Sequence, residues 1–197
     1  MQRLSERGIG ERGLAAELFR DVTVLALRFT DPIALADSAP DHAGSSLADQ
    51  AVRIVQEVAA AHGIDYLRIL GDSVVAADGF APGGIARAGA VAAAALDLQE
   101  RLAALFHAAD QRLGFRIGID TGTVIGSVVG QDTRTYNIWG EAVRTATAMA
   151  ESGPEAAIHV SETTRDAIAS VCLLRPRGRF WLEGAGEIAT FVLAGRA

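Results

Sequence analysis

The chain has 197 residues, half of them apolar and 21% charged, enough for one sizeable domain with a buried core and too apolar for wholesale disorder. Lys and Arg number 18 against 24 Asp and Glu, a formal net charge of -6 and the wrong sign for a general nucleic-acid binder. The single cysteine, Cys172, excludes an internal disulfide framework and a multi-cysteine metal site, and it fits a reducing, cytoplasmic setting. Met1 to Arg20 has no signal-peptide core, and nowhere do roughly 18 apolar residues run uninterrupted. The expectation is a soluble, acidic chain with an arm or linker over residues 1–20 and one domain over 21–197.

Val22 to Leu27 is a short apolar, β-branched run and reads as a buried strand, interrupted by Asp31-Pro32. Asp37 to Ser45 is turn chemistry. Ser46 then caps a helix whose apolar residues Leu47, Ala51, Ile54/Val55 and Val58 recur at helical spacing until Gly63. Tyr66 to Leu70 and Ser73 to Ala77, joined by Gly71-Asp72, form a hairpin. Ile85 to about Gln111 is the longest helical pattern, with Val91, Ala95, Leu98, Leu102 and Leu105 on one stripe.

Arg116 to Val129 is expected to be a second hairpin turning at Thr121-Gly122-Thr123. Its flanking glycines, Gly118, Gly126 and Gly130, imply close backbone packing. A helix follows Gly140 and stops at Ser152-Gly153-Pro154. Ile158 to Val160 is a strand, and Ser161 caps a further helix through about Ala169. Strand-like runs at Arg179 to Leu182 and Ala189 to Leu193 close the chain. Helices and hairpins alternating in this way give an α+β fold, a mostly antiparallel sheet covered by helices.

Four segments, in order, resemble the catalytic domain of class III nucleotidyl cyclases, the adenylyl and guanylyl cyclase family. They are VTVL at Val22, Ile69 to Asp72, RIGIDTGTVIGSVVG from Arg116, and YNIWGEAVRTATAM from Tyr136; LEGAGEIATFVL from Leu182 resembles the family's final hairpin. The resemblance implies a ferredoxin-like βαββαβ core with extra hairpins. It also implies head-to-tail dimers with active sites across the interface and two-metal catalysis on a nucleoside triphosphate.

Position by position, the resemblance implies a loss of chemistry. Of the two metal aspartates, the second is present as Asp72, while the first falls on Arg28; Asp31 is the alternative if the strand end is rebuilt. A cation at a metal position repels the ion it displaces. The base-selecting positions are assigned to Tyr66 and Asn137, a pair matching neither the ATP nor the GTP pattern. The transition-state asparagine and arginine are replaced by Arg144 and Ala148, and the phosphate-binding lysine segment by Glu183 and Ala185. The framework residues Gly71, Gly118, Gly122, Trp139 and Gly140 remain.

Each of these residues has a plainer reading. Gly-Asp is ordinary turn chemistry, Tyr66 and Trp139 can simply bury area, Arg144 can be a solvated cation, and Arg28 can pair with Asp31 or Asp72. His42, His62, His107 and His159 lack metal-ligand spacing. Three functions follow. The first is a degenerate cyclase domain, a pseudoenzyme with no cofactor, acting by homodimerising or heterodimerising with a cyclase-like domain in signalling. The second is an active cyclase of unusual site, using Mg or Mn with a nucleoside triphosphate, and the third a nucleotide sensor without turnover. The first is the expectation.

Overall fold

The computed structural model describes residues 16–37, 45–81, 87–109, 113–130 and 135–197. The strands are β1 (Glu17–Phe29), β2 (Tyr66–Leu70), β3 (Ser73–Asp78), β4 (Phe115–Val129), β5 (Thr135–Trp139), β6 (Ile158–Ser161), β7 (Cys172–Leu182) and β8 (Gly186–Arg196). The helices are α1 (Pro32–Ala36), α2 (Leu47–Ala61), α3 (Ala88–Ala108), α4 (Glu141–Ser152) and α5 (Glu162–Ile168). One sheet holds all the strands in the order β2-β3-β1-β4-β6-β8-β7, with β5 paired to β4. Every pairing is antiparallel except β4 with β6. The first four strands of that order, linked through α2 and α3, form the expected ferredoxin-like core.

Strand β1 is buried on both faces, so its apolar run is continuous rather than alternating. Leu25, Leu27 and Phe29 join Val55, Val58, Val91, Leu98 and Leu102 beneath α2 and α3. Val22, Val24 and Ala26 turn to the other face, where Ala142, Ala146 and Ala150 of α4 meet them. Helix α2 starts in a capping box: the Asp49 N–H donates to Ser46 Oγ and the Ser46 N–H to the Asp49 carboxylate, both at 3.1 Å. Gly63, at φ +65°, ends it.

The expected hairpin at Thr121 to Thr123 does not form. Strand β4 runs unbroken for 15 residues, because β1 accompanies it from Phe29 opposite Phe115 to Glu17 opposite Gly126. The irregularity lies on β1 instead, where the register shifts between Phe19 and Val22 and Asp21 takes φ 60°. Residues 17–20, expected in the arm, are therefore part of the sheet; residues 1–15 lie outside the described residues. Helix α3 falls within the expected 85–111, and strands β7 and β8 extend well beyond the runs expected of them.

The glycines of β4 serve packing. A Cβ at Gly118 would run into the Ala146 carbonyl oxygen and come within 2.8 Å of Ala150 N and Met149 Cβ. The helix therefore lies directly on the strand backbone.

Two buried titratable groups, Asp120 and His159, lie on the α4 side of the sheet. Asp120 accepts a hydrogen bond from Ser161 Oγ, the oxygen that also caps α5 by accepting from the Thr164 N–H. Burial pushes its carboxyl up to about 6, with Glu141 adding to the rise and hydrogen bonds from Ser161, Thr121 and Thr145 opposing it. His159 packs against Gly153 at the end of α4, and its Nδ1 accepts from Arg177 at 3.3 Å. Burial and the Arg177 charge push this imidazole down to about 4.

Two outcomes follow. Gly118→Ala should destabilise the domain by about 1–3 kcal/mol through overpacking, read as a lower urea midpoint. The pH responses of the two buried groups should oppose each other. Between about 4 and 6.5 the unfolded state binds the extra proton at His159, so that contribution makes stability rise with pH. Between 3.8 and about 6 the folded state binds the extra proton at Asp120, so that contribution falls as pH rises. Urea melts of Asp120→Asn should show stability climbing more steeply with pH across this window than in the wild type. Melts of His159→Gln should show it declining.

Candidate functional site

Arg28 sits near the end of β1, directly opposite Ser73 on β3 and Arg116 on β4. The Phe29 N–H donates to the Asp72 carbonyl at 2.9 Å, which fixes the β2–β3 turn beside the strand end, and Gly71 at φ +58° lets the chain reverse there. Arg28 Nη2 lies 3.2 Å from Asp72 Oδ2, and its Nη1 donates to Glu151 Oε1 at 2.9 Å. One guanidinium thus ties β1, the Gly-Asp turn and the last turn of α4 together. All three side chains are partly exposed, so the contribution to stability is on the order of 1 kcal/mol or less.

Asp31 does not reinforce Asp72. Its Oδ1 accepts the Ala34 N–H at 2.9 Å and caps α1, with Pro32 in the first turn. Among the described residues, no group of three or more His, Cys, Asp or Glu comes together to hold a metal ion. A pair of magnesium or manganese ions does not fit what is present: the carboxylates beside the turn, Asp72 and Glu151, already share the Arg28 guanidinium as their partner.

Tyr66 and Asn137, assigned together from sequence, are not brought together as a polar pair. Tyr66 is buried in the cluster under α4, its ring edge-on to Tyr136. Its hydroxyl takes a hydrogen bond from the Ile138 backbone N–H, and burial pushes its pKa up. The polar neighbour of Asn137 is Arg68, two residues along the same face of β2, whose Nη1 donates to Asn137 Oδ1. Sequence reading passed over Arg68. The signal was strand parity, since Tyr66 and Arg68 share a face and the longer side chain reaches across.

Arg144 is exposed on α4, its stem against the closing hairpin: a Cβ at Gly184 would lie 3.5 Å from Arg144 Cδ. Ala148, one turn on, is buried with Met149 and Leu182, and Phe180, Ala185 and Ile188 pack onto this cluster. Two positions where the resemblance implies cations thus contribute to an apolar seam between α4 and the β7–β8 hairpin. Glu183 is exposed beside it.

Trp139, Ile125 and Leu18 stand opposite one another across β5, β4 and β1 and so share one face of the sheet. Trp139 is 40% exposed and Leu18 54%. No helix among the described residues is long and apolar enough to cross a membrane.

Comparison with known proteins matches residues 15–195 to the family model described as the adenylate and guanylate cyclase catalytic domain. An adenylate cyclase of Mycobacterium tuberculosis is 28% identical over 189 residues, covering 94% of this chain and 42% of that protein. The chain therefore spans less than half the length of that relative. Among solved structures, the adenylyl cyclase CyaB from P. aeruginosa superposes with a TM-score of 0.79 at 20% identity, covering 92% of this chain and 96% of that one. The guanylate cyclase domain of RhGC from Catenaria anguillulae, solved in complex with GTP, gives 0.77 at 22% identity, covering 92% of this chain and all of that domain.

Proposed function

The chain belongs to the adenylate and guanylate cyclase catalytic domain family, and we propose that within it this domain is catalytically degenerate and acts as a dimerising regulatory or signalling module in cyclic-nucleotide signalling. The observation that carries this reading is the Arg28 guanidinium, bound to both Asp72 and Glu151. The family's chemistry asks that place for two carboxylates and the divalent ions that activate a hydroxyl and neutralise a triphosphate. Here Arg28 and Arg116 stand among Asp72, Glu151 and Glu155, two cations against three carboxylates. That arrangement opposes a metal through the guanidinium groups and a triphosphate through the surplus negative charge.

Two further features support the reading. The Ala148–Ala185 seam offers apolar surface where charge develops in phosphoryl chemistry, and Glu183 adds repulsion. The exposed Leu18 and Trp139, with half-buried Ile125 between them, favour a protein partner, because apolar surface of this kind is stabilised by being covered. The proposed partner is a second copy or another cyclase-like domain. A cytoplasmic location fits the lone cysteine, which is buried.

A second reading, a nucleotide sensor without turnover, is favoured by the Arg68–Asn137 contact. The remaining guanidinium N–H groups and the Asn137 amide group present mostly donors. Guanine offers two acceptors, O6 and N7, side by side, where adenine offers one acceptor and one donor. Arg144 supplies a further exposed cation. An active cyclase drawing its metals from another subunit would use the same residues.

Pure protein given ATP, GTP, CTP or UTP with manganese should make no cyclic nucleotide above the buffer control, with its oligomeric state measured alongside. Turnover that Asp72→Ala abolishes would overturn the first reading. For the sensor, GTP should raise the melting temperature more than ATP does, and Arg68→Ala should remove the difference. No shift with any nucleotide at millimolar concentration removes that second reading.

A further inference from the structure

Among the described residues, strand β7 ends the sheet and is hydrogen-bonded on one side only, to β8. Within a chain of net charge -6, it carries Arg175, Arg177 and Arg179 and no acidic residue. Arg175 is exposed and makes no ion pair among the described residues. The carboxylate partner of Arg179 is Glu187 at 3.5 Å, and with both side chains more than half exposed the pair contributes little. Arg177 lies over the Phe180 ring at 3.9 Å while donating to His159, which holds its guanidinium in place. Near the two ends of the strand, Leu173 is 55% exposed and Trp181 80%.

Free sheet edges are commonly blunted by charge, proline and bulges, and Arg175, Pro176 and the register shift between Pro176 and Gly178 fit that role. Blunting accounts neither for an exposed tryptophan nor for three cations with a single, weak acidic partner. Tryptophan and arginine are the residue types that dominate interface hot spots. We propose that β7 is a docking strand for an acidic, extended segment of another protein. Arg175 stands opposite Val192 and Arg179 opposite Ala189, so the two point to opposite faces of the sheet. The segment lies along the edge with carboxylates on both of its own faces, while apolar residues at its two ends cover Leu173 and Trp181. Because Pro176 has no N–H and the shift interrupts the ladder, recognition runs mainly through side chains. From Leu173 to Trp181 the strand offers roughly 25 Å, the reach of a single extended segment.

The net charge separates this occupant from other anions. Nucleic acid or an anionic bilayer extends past the strand and meets the field of the acidic chain as a whole. A short peptide stays within the ~10 Å over which the arginines act. The proposal stands independently of how the cleft is read.

The test is fluorescence anisotropy with a labelled synthetic peptide of consecutive glutamates, which presents carboxylates on both faces when extended, bearing leucine at one end and phenylalanine at the other. The same peptide with lysine for glutamate, a single-stranded DNA and phosphatidylserine vesicles run beside it. The acidic peptide should bind saturably and protect β7 amides, but not those of the opposite edge β2, from hydrogen exchange. Affinity should fall about tenfold or more in the Arg175→Glu/Arg179→Glu double variant and on raising salt from about 0.05 to 0.3 M. Trp181→Ala should weaken binding several-fold. Because these side chains are exposed, the variants should keep the wild-type circular dichroism spectrum. No saturable binding, equal binding to the charge-reversed variant, or tighter binding of DNA or vesicles overturns the proposal.

Discussion

The contact of Arg28 with Asp72 and Glu151 is the interaction on which the functional account depends. A divalent ion and a guanidinium answer the same need of a carboxylate, but the guanidinium is tethered and cannot be exchanged for substrate-borne charge. Arg28 lies opposite Ser73 and Arg116 in the register, so its position follows from the pairing of β1 with β3 and β4 rather than from a loose side chain. On the proposed reading, the strand that would present a metal ligand presents a cation, whose partner is the aspartate of the turn beside it. The pair adds little to stability, being partly exposed. Its consequence lies in which ligands the cleft accepts.

Along α4, packing governs the arrangement. The alanines Ala142, Ala146 and Ala150 bring the helix down onto Gly118, and Ala148 with Met149 continues the apolar contact into the closing hairpin. A long cation at position 148 would have to leave this seam or pull the hairpin away from the helix. Arg144, on the exposed side, is free of that constraint. The glycine and the alanines of this region thus act through packing, which brings helix, strand and closing hairpin together.

Much of this was legible in the sequence where one local rule decided the outcome. Ser46 and Asp49 spell a capping box, Gly71-Asp72 spells a turn, and the apolar stripe of α3 follows helical spacing. The failures came where distant contacts override local preference. Thr121-Gly122-Thr123 has the composition of a turn, yet β1 pairs with β4 from Phe115 to Gly126 and carries the strand through it. Asp31 is spent on capping α1, a five-residue helix that periodicity is too short to reveal. Tyr66 stands where a polar contact was expected, but its ring is drawn into the core and the neighbouring Arg68 makes the contact instead.

Direct observation of the ion is the sharpest test of the central claim. Electron paramagnetic resonance reads free manganese as protein is added, independently of turnover or oligomeric state. The wild type should leave the free-ion signal unchanged at millimolar protein, while Arg28→Asp, which sets a second carboxylate beside Asp72, should reduce it saturably. Saturable loss of the signal with the wild type, abolished by Asp72→Ala, would contradict the account.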